Sequence, residues 1–206
     1  MGSKVTVYEK AHFGFIRFVH DTLFGIFVNP YDWLGQSGVA SGQSVLEVGC
    51  GPGFFTFPAA ELVGDGGRLC ALDNNPAAVD HVRRKVLRLG AKNVDVVLAD
   101  ALRTALPDQS FDVVFLYGVI HDLWDRVDSL VLELQRVTKA GGVLSISKSP
   151  WIGEERIVDA MTKAGLFRCL RKTERVLNFE RLQGPDYHDS GSFEDVQARV
   201  ADSQGP

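Results

Sequence analysis

The sequence predicts an α/β fold: a seven-stranded, mostly parallel sheet with helices on both faces and a C-terminal antiparallel hairpin. Three observations lead there. Strand-like and helix-like runs alternate through the middle of the chain, the pattern of βαβ units. One of those strands lies in "VLEVGCGPGFFTFPAAEL" (Val45 to Leu62) and feeds a turn with glycine at alternate positions, then an apolar run that opens a helix. Beyond Trp151 two strand-like runs stand only a few polar residues apart, too close for a crossover and therefore antiparallel.

The first strand is Ser44 to Val48, where Val45, Leu46 and Val48 frame Glu47, and its helix runs from about Phe54 to Val63. "GRLCALD" gives the second strand, ending at Asp73. A helix from about Pro76 to Leu89 follows, with Asn74 or Asn75 as its cap and proline at an early position. "VDVVLAD" gives the third strand, ending at Asp100, and "FDVVFLYG" the fourth. The next helix spans about Asp128 to Val137, and Gly141 stands where it can end that helix before "GVLSISK", the fifth strand. A helix around Glu154 to Ala164 precedes the hairpin strands in "LFRCLRK" and "RVLNFERL".

Three segments result: an aromatic-rich helical cap over residues 1–38, the sheet domain over 39–183, and a polar tail over 184–206 expected to be disordered. The cap gathers Phe13, Phe15, Phe18, Phe24, Phe27, Tyr31 and Trp33, interrupted by Arg17, His20 and Asp21 too often for a spanning helix. Three readings fit it: packing on the domain edge, a lid over a ligand pocket, or contact with a membrane surface. Scarce lysine and arginine weaken the last.

Charge narrows the partners. With 22 basic and 26 acidic residues the net charge is -4, which does not suggest a nucleic-acid binder. The densest basic stretch, His81 to Lys92, carries Val82, Val86 and Leu89 at helical spacing, so its arginines form a solvated face. Cys50, Cys70 and Cys169 are too widely spaced for a disulfide framework or a zinc site, and a reducing cytoplasm is the expected setting. The opening "MGSKVTVYEK" lacks the charged-then-apolar layout of a secretory leader.

Parallel sheets bind ligands beyond the carboxyl ends of their strands. The residues expected there are the loop Gly49-Cys50-Gly51-Pro52-Gly53, then Asp73-Asn74, Asp100-Ala101, and Tyr117-Gly118 with His121 close behind. A dinucleotide fingerprint needs G-x-G-x-x-G, and the sixth position here is Phe54. A phosphate-binding P-loop needs a lysine after its glycines, and "GPGFFT" has none. The acids suit a nucleoside better. Asp73 can accept from ribose hydroxyls, and Asp100 from an exocyclic adenine amine. An acid like Asp73 also serves NAD sites, so that residue alone does not decide.

"VLEVGCGPG", "ALDNNP", "LADA", "FDVVFLYGVIH" and "LQRVTKAGG" resemble the successive motifs of class I S-adenosylmethionine-dependent methyltransferases. The likeness covers roughly Val39 to Ser149. It implies a Rossmann-like sheet whose seventh strand runs antiparallel between the fifth and sixth. It also implies S-adenosylmethionine as cofactor. The Gly49–Gly53 loop, Cys50 and Gly51 included, would line the methionine moiety, with Glu47 behind it. Asp73 would hold the ribose and Asn74 would flank the adenine. Asp100 and the Ala101 N–H would meet the adenine edge. Tyr117 and Gly118 would set backbone beside the methionine part.

Taken singly, several of these residues have plainer readings: Glu47 as a solvated strand end, Cys50 as a small filler, Asp100 as a turn residue. His121 is the candidate general base, since histidine titrates near neutrality, with support of the pocket as its other reading. Asp122 beside it is not expected to form a dyad, because neighbours on a helix point apart.

The fourth motif reads "YGVI" and lacks the Asn/Asp-Pro-Pro-Tyr/Phe of amino methyltransferases acting on adenine or glutamine. Ser149-Pro150 stands where cation-dependent O-methyltransferases carry an Asp-Asn pair, and the loops after strands four and five have no cysteine for arsenite. What remains resembles the small-molecule group that includes quinone-biosynthesis C-methyltransferases. The expected acceptor is a small molecule with an O, S or C nucleophile, and Phe15, Phe18, Phe24 and Trp33 are candidate wall residues. No metal is expected. Two other classes stay open: a nicotinamide-dependent reductase, and a non-catalytic subunit that binds S-adenosylmethionine without turnover.

Overall fold

A computed structural model describes residues 28–183. The elements in chain order are α1 (Pro30–Gln36), β1 (Ser44–Val48), α2 (Thr56–Val63), β2 (Arg68–Asp73), α3 (Pro76–Leu89), β3 (Val94–Leu98) and β4 (Phe111–Leu116). A 3₁₀ turn (Ile120–Arg126), α4 (Val127–Val137), β5 (Thr138–Ser147), α5 (Glu154–Thr162), β6 (Phe167–Lys172) and β7 (Val176–Arg181) complete them. The seven strands form one sheet in the order β3-β2-β1-β4-β5-β7-β6. Contacts divide the chain into two compact units after Ala101.

In the first unit β1, β2 and β3 pair in parallel, with Glu47 opposite Ala71 and Asp73 opposite Leu98. Val45, Leu46, Leu69, Ala71 and Leu72 are all buried, which is why these strands read as near-continuous apolar runs. Helix α2 opens at Thr56, two residues later than the sequence suggests, because residues 51–55 form a turn. Its C-terminal end is closed by the Asn93 amide, which donates to the carbonyls of Ala60 (2.8 Å) and Gly64 (3.0 Å). Helix α3 matches its expected bounds. The Asn75 side chain accepts from the Ala77 N–H at 2.9 Å, Pro76 opens the helix, and Gly90 ends it in the left-handed conformation. Val79 and Val82 are buried while Arg83, Arg84 and Arg88 are exposed, the solvated basic face foreseen.

In the second unit β4 pairs in parallel with β5, and β7 runs antiparallel between β5 and β6. The short-connection argument for the hairpin therefore holds. Val113, Val114, Phe115 and Leu116 of β4 share the core with Leu130 and Leu134 of α4 and with Ile157 and Met161 of α5, all buried. Gly141 does not end α4. The helix stops at Thr138, which turns extended and donates its hydroxyl to the Leu134 carbonyl at 2.6 Å. Gly141, at φ 73°, instead serves an irregularity in β5, where the pairing jumps from Phe111–Thr138 to Val113–Val143. The guanidinium of Arg136 gathers Glu133, Asp108 and the Leu106 carbonyl, so the loop before β4 is held against α4.

Phe15, Phe18 and Phe24, most of the proposed cap, and the 184–206 tail lie outside the described residues. Among the described residues no helix is long and apolar enough to cross a membrane.

Candidate functional site

The first unit brings the glycine loop and two carboxylates together by its own hydrogen bonds. At the end of β1 the N–H groups of Gly49 and Cys50 both donate to the Leu72 carbonyl (2.7 and 3.0 Å), which turns the loop across the end of β2. The Gly51 N–H then donates to one oxygen of Asp73 at 2.8 Å, while the other oxygen accepts from the Asn75 N–H, also at 2.8 Å. Asp73 is thus a staple of the loop before it is anything else. Burial raises its pKa, and the N–H donors of Asn75, Gly51 and Asn74 pull it back.

Two of the loop glycines answer different demands. A Cβ on Gly51 (φ 51°) would meet nothing within 4 Å, so backbone lies open beside Asp73. A Cβ on Gly53 (φ 83°) would press on Phe57 at 3.2 Å and Val82 at 3.3 Å. Gly51 leaves room for a ligand. Gly53 leaves room for the protein's own helices.

Glu47 is 3% exposed, so it is not the solvated strand-end residue that one plain reading had. It accepts from the Thr56 hydroxyl at 2.5 Å, which ties β1 to the start of α2. Burial pushes its carboxyl up to about 8; the Thr56 bond lowers it, and the charge of Asp73 adds to the rise. The Cys50 side chain is buried beside Ala71 and Val82, with Phe57, Val86 and Val96 around them, and burial pushes its thiol well above the ordinary range. Its side chain is core filler, and only its backbone belongs to the loop. Asn74 is exposed. The Ala99 N–H donates to the Asp73 carbonyl at 3.1 Å, which brings the end of β3 to the end of β2. Asp100 beyond it is exposed and Ala101 is buried. Trp33 of α1 sits with its ring 5.6 Å from that of Phe55, which follows the glycine loop.

The second unit places Tyr117, Gly118 and His121 after β4. Tyr117 is buried against Phe115, with ring centroids 4.8 Å apart, and its hydroxyl lies 3.4 Å from that of Ser145. Gly118 turns at φ 76°, and its N–H donates to the Ser147 hydroxyl at 2.9 Å, so that donor is held by the protein. His121 sits on the 3₁₀ turn with a third of its side chain exposed and its ring 4.5 Å from that of Trp151. Its Nε2 lies 3.4 Å from Asp122 Oδ1, against the expectation that these neighbours diverge. The expectation assumed a packed helix, whereas here both side chains reach into solvent and are free to meet. At that distance, with Asp122 exposed, the contact orients the ring only weakly.

Sequence reasoning missed three residues and gave a fourth, Asn75, only its helix-capping role. Thr56, Asn75 and Ser147 anchor the expected residues through hydrogen bonds that depend on register and loop path, which one sequence does not display. Trp151 did carry a signal, a lone aromatic in the polar loop "KSPWIGE".

The loop chemistry tests the implied cofactor. Glu47–Phe57 and Ala71–Asn75 contain no lysine or arginine, whereas two carboxyls stand beside an open backbone cradle. A phosphate does not suit that setting. The ammonium of an amino acid and the hydroxyls of a ribose do, and the Asp73 carboxylate keeps acceptor capacity beyond its backbone N–H donors.

Comparison with known proteins agrees. Residues 45–142 match the methyltransferase domain family. The chain is 37% identical over 91 residues to an aklanonic acid methyltransferase of Streptomyces sp. (strain C5), covering 44% of this chain and 41% of that protein. It is 34% identical over 119 residues to a ubiquinone/menaquinone biosynthesis C-methyltransferase of Hahella chejuensis, covering 56% of this chain and 47% of that one. The chain thus spans less than half the length of these curated relatives. An S-adenosylmethionine-dependent methyltransferase structure from Aquifex aeolicus superimposes with a TM-score of 0.71 at 26% identity, covering 82% of this chain and 97% of that chain. The same fold recurs in the [4+2]-cyclase SpnF, at a TM-score of 0.59 and 19% identity, covering 69% of this chain and 57% of that one. With its glycine loop, strand order and matched segment taken together, the chain is similar to the class I S-adenosylmethionine-dependent methyltransferases.

Proposed function

We propose that the protein transfers a methyl group from S-adenosylmethionine to a small-molecule acceptor with an O, S or C nucleophile, in line with the small-molecule acceptors named for the two relatives, one of them a C-methyltransferase. The observation that carries the reading is the Gly51–Asp73 staple beside an open backbone cradle with no cation. When bound, S-adenosylmethionine supplies a methyl group on positively charged sulfur, displaced with the carbon–sulfur electron pair leaving on sulfur.

The residues of the chain then have distinct tasks. Backbone around Gly49–Gly53 lines the methionine part, and Glu47 gives that end a negative environment once an ammonium draws its proton away. Asp73 receives the ribose hydroxyls, and Asn74, Asp100 and the Ala101 N–H border the adenine. Tyr117 and Gly118 supply backbone on the methionine side. His121 takes the acceptor's proton where the nucleophile carries one, so the proton ends on the imidazole and is lost to solvent. Much of the remaining acceleration comes from positioning and exclusion of water. Phe15, Phe18, Phe24 and Trp33 are proposed to wall the acceptor.

The test is a calorimetric titration with S-adenosylmethionine, S-adenosylhomocysteine and NADH in parallel, followed by methyl transfer to a panel of phenols, quinols and thiols. Saturable binding of both sulfur nucleosides and transfer to one acceptor class are expected. Binding of NADH alone would overturn the reading, and binding without transfer to any acceptor would favour a non-catalytic subunit.

A further inference from the structure

The loop that follows β5 carries an aromatic side chain that the fold does not bury. Trp151 is 72% exposed, and in the second unit the other large apolar residue left exposed among those described is Leu170, on the edge strand β6. An exposed indole is worth explaining, because burying it is one of the larger apolar gains open to a fold. This one is held out on a fixed backbone. The Trp151 N–H donates to the Ser149 hydroxyl at 3.2 Å, and the next residue, Ile152, is 5% exposed and anchors the loop. Trp124 differs, being half-buried with the Arg156 guanidinium 5.2 Å from its ring.

The indole also has a chemical neighbour. The His121 ring lies 4.5 Å away, tilted by 47°. That puts a proton acceptor one ring's width from an aromatic surface, within the distances at which aromatic rings associate. The indole stands by a His121 ring that meets the exposed Asp122, and the same 3₁₀ turn carries a second exposed acid, Asp125. A protein interface needs a wider apolar patch, and a membrane surface would be repelled by those acids. A small flat ring with a polar substituent fits.

Resting on the methyltransferase reading, we propose that Trp151 determines acceptor specificity by stacking on a planar phenolic ring and presenting its hydroxyl to His121. Trp151 binds the ring, and His121 handles the proton. Such a site selects against saturated alcohols and aliphatic thiols of similar size, which offer no flat face.

The experiment compares the wild type with Trp151→Phe and Trp151→Ala, titrated with 4-nitrophenol while S-adenosylhomocysteine is saturating. The difference in tryptophan emission between wild type and Trp151→Phe isolates the Trp151 signal. The expected result is saturable quenching of that signal, undiminished by cyclohexanol and competed by other planar phenols. In turnover, Trp151→Ala raises KM for a phenol about tenfold or more, with kcat and S-adenosylhomocysteine affinity within about twofold, and Trp151→Phe restores most of the loss. Quenching that stays linear in 4-nitrophenol while S-adenosylhomocysteine binds normally would overturn the proposal and leave the methyltransferase reading standing. Saturable quenching in a protein that binds no sulfur nucleoside would uphold the aromatic platform and sink the wider reading. A ligand-free emission shift that depends on protein concentration would assign the indole to self-association, also overturning the proposal.

Discussion

The glycine loop of the first unit and the loops after β4 and β5 of the second are built on opposite principles. Around Gly51 the groups proposed to meet the cofactor are mostly backbone, and they are locked: Leu72 holds Gly49 and Cys50, Asp73 holds Gly51 and Asn75, and Thr56 holds Glu47. Around His121 the groups proposed to meet the acceptor are side chains, and they are less enclosed, with an exposed indole, a partly exposed imidazole and an exposed aspartate in contact. A locked backbone suits a ligand that never changes. Exposed side chains suit one that differs from enzyme to enzyme on the same fold. Breaking the second region should therefore cost turnover, and breaking the first should cost affinity and stability.

The largest effect expected is on turnover. His121→Ala lowers kcat for a phenolic acceptor by about 10²–10⁴, the usual worth of a general base. Affinity for S-adenosylhomocysteine stays within about twofold. With an acceptor already ionised at the assay pH the loss shrinks toward nothing. A loss that is the same for ionised and neutral acceptors would make His121 a supporting residue instead.

Asp73→Ala inverts that pattern. It removes the ribose acceptor and leaves the N–H groups of Gly51 and Asn75 without their partner, so S-adenosylhomocysteine affinity falls about 100-fold, roughly 2.7 kcal/mol. Calorimetry at a temperature where the variant is folded checks it. Full affinity in the variant would remove Asp73 from the cofactor site.

The same contrast explains what could be read in advance. The turn of the first region was legible because its demands fall on residue types: glycine where the backbone must turn with positive φ, and Asn-Pro where a helix must start. The sheet was legible for a similar reason, since buried parallel strands write themselves as apolar runs. Gly141 shows the limit. A glycine after a helix usually ends it, but Thr138 had already turned extended, and the glycine served the β5 irregularity. The partnership of His121 with Trp151 was beyond reach, because the twenty-nine residues between them carry no local signal that a partly exposed ring and an exposed one will meet.

Glu47 sharpens the first region through pH. Its carboxyl titrates near 8 when folded, against 4.5 as the ordinary value, because burial disfavours the charge. Below about 4.5 it is protonated in both states and contributes nothing to the pH dependence. Between there and about 8 the folded state keeps a proton the unfolded state has lost, so stability falls as pH rises through that window and levels off above it. The half-buried Asp73 shifts the same way and adds to the slope. Glu47→Gln should flatten the curve by on the order of 5 kcal/mol across the window, read by denaturant unfolding at several pH values. An ammonium beside Glu47 would lower its pKa, so S-adenosylhomocysteine binding at pH 7 should release protons. Calorimetry in buffers of different ionisation enthalpy detects this, and the release should vanish in Glu47→Gln.

The smallest effects separate two glycines that the sequence treats alike. Gly53→Ala must strain a backbone at φ 83° and press a methyl group onto Phe57 and Val82, so it costs about 1–3 kcal/mol of stability. Gly51→Ala meets only the strain of φ 51°, on the order of 1 kcal/mol, since nothing lies within 4 Å. Its methyl group instead occupies the space proposed for the methionine part. Thermal unfolding should therefore rank Gly53→Ala as the less stable variant, while calorimetry ranks Gly51→Ala as the poorer binder relative to its stability loss. If the two variants lost affinity in simple proportion to their stability, the open space at Gly51 would be incidental, and the cofactor would have to lie elsewhere along the loop.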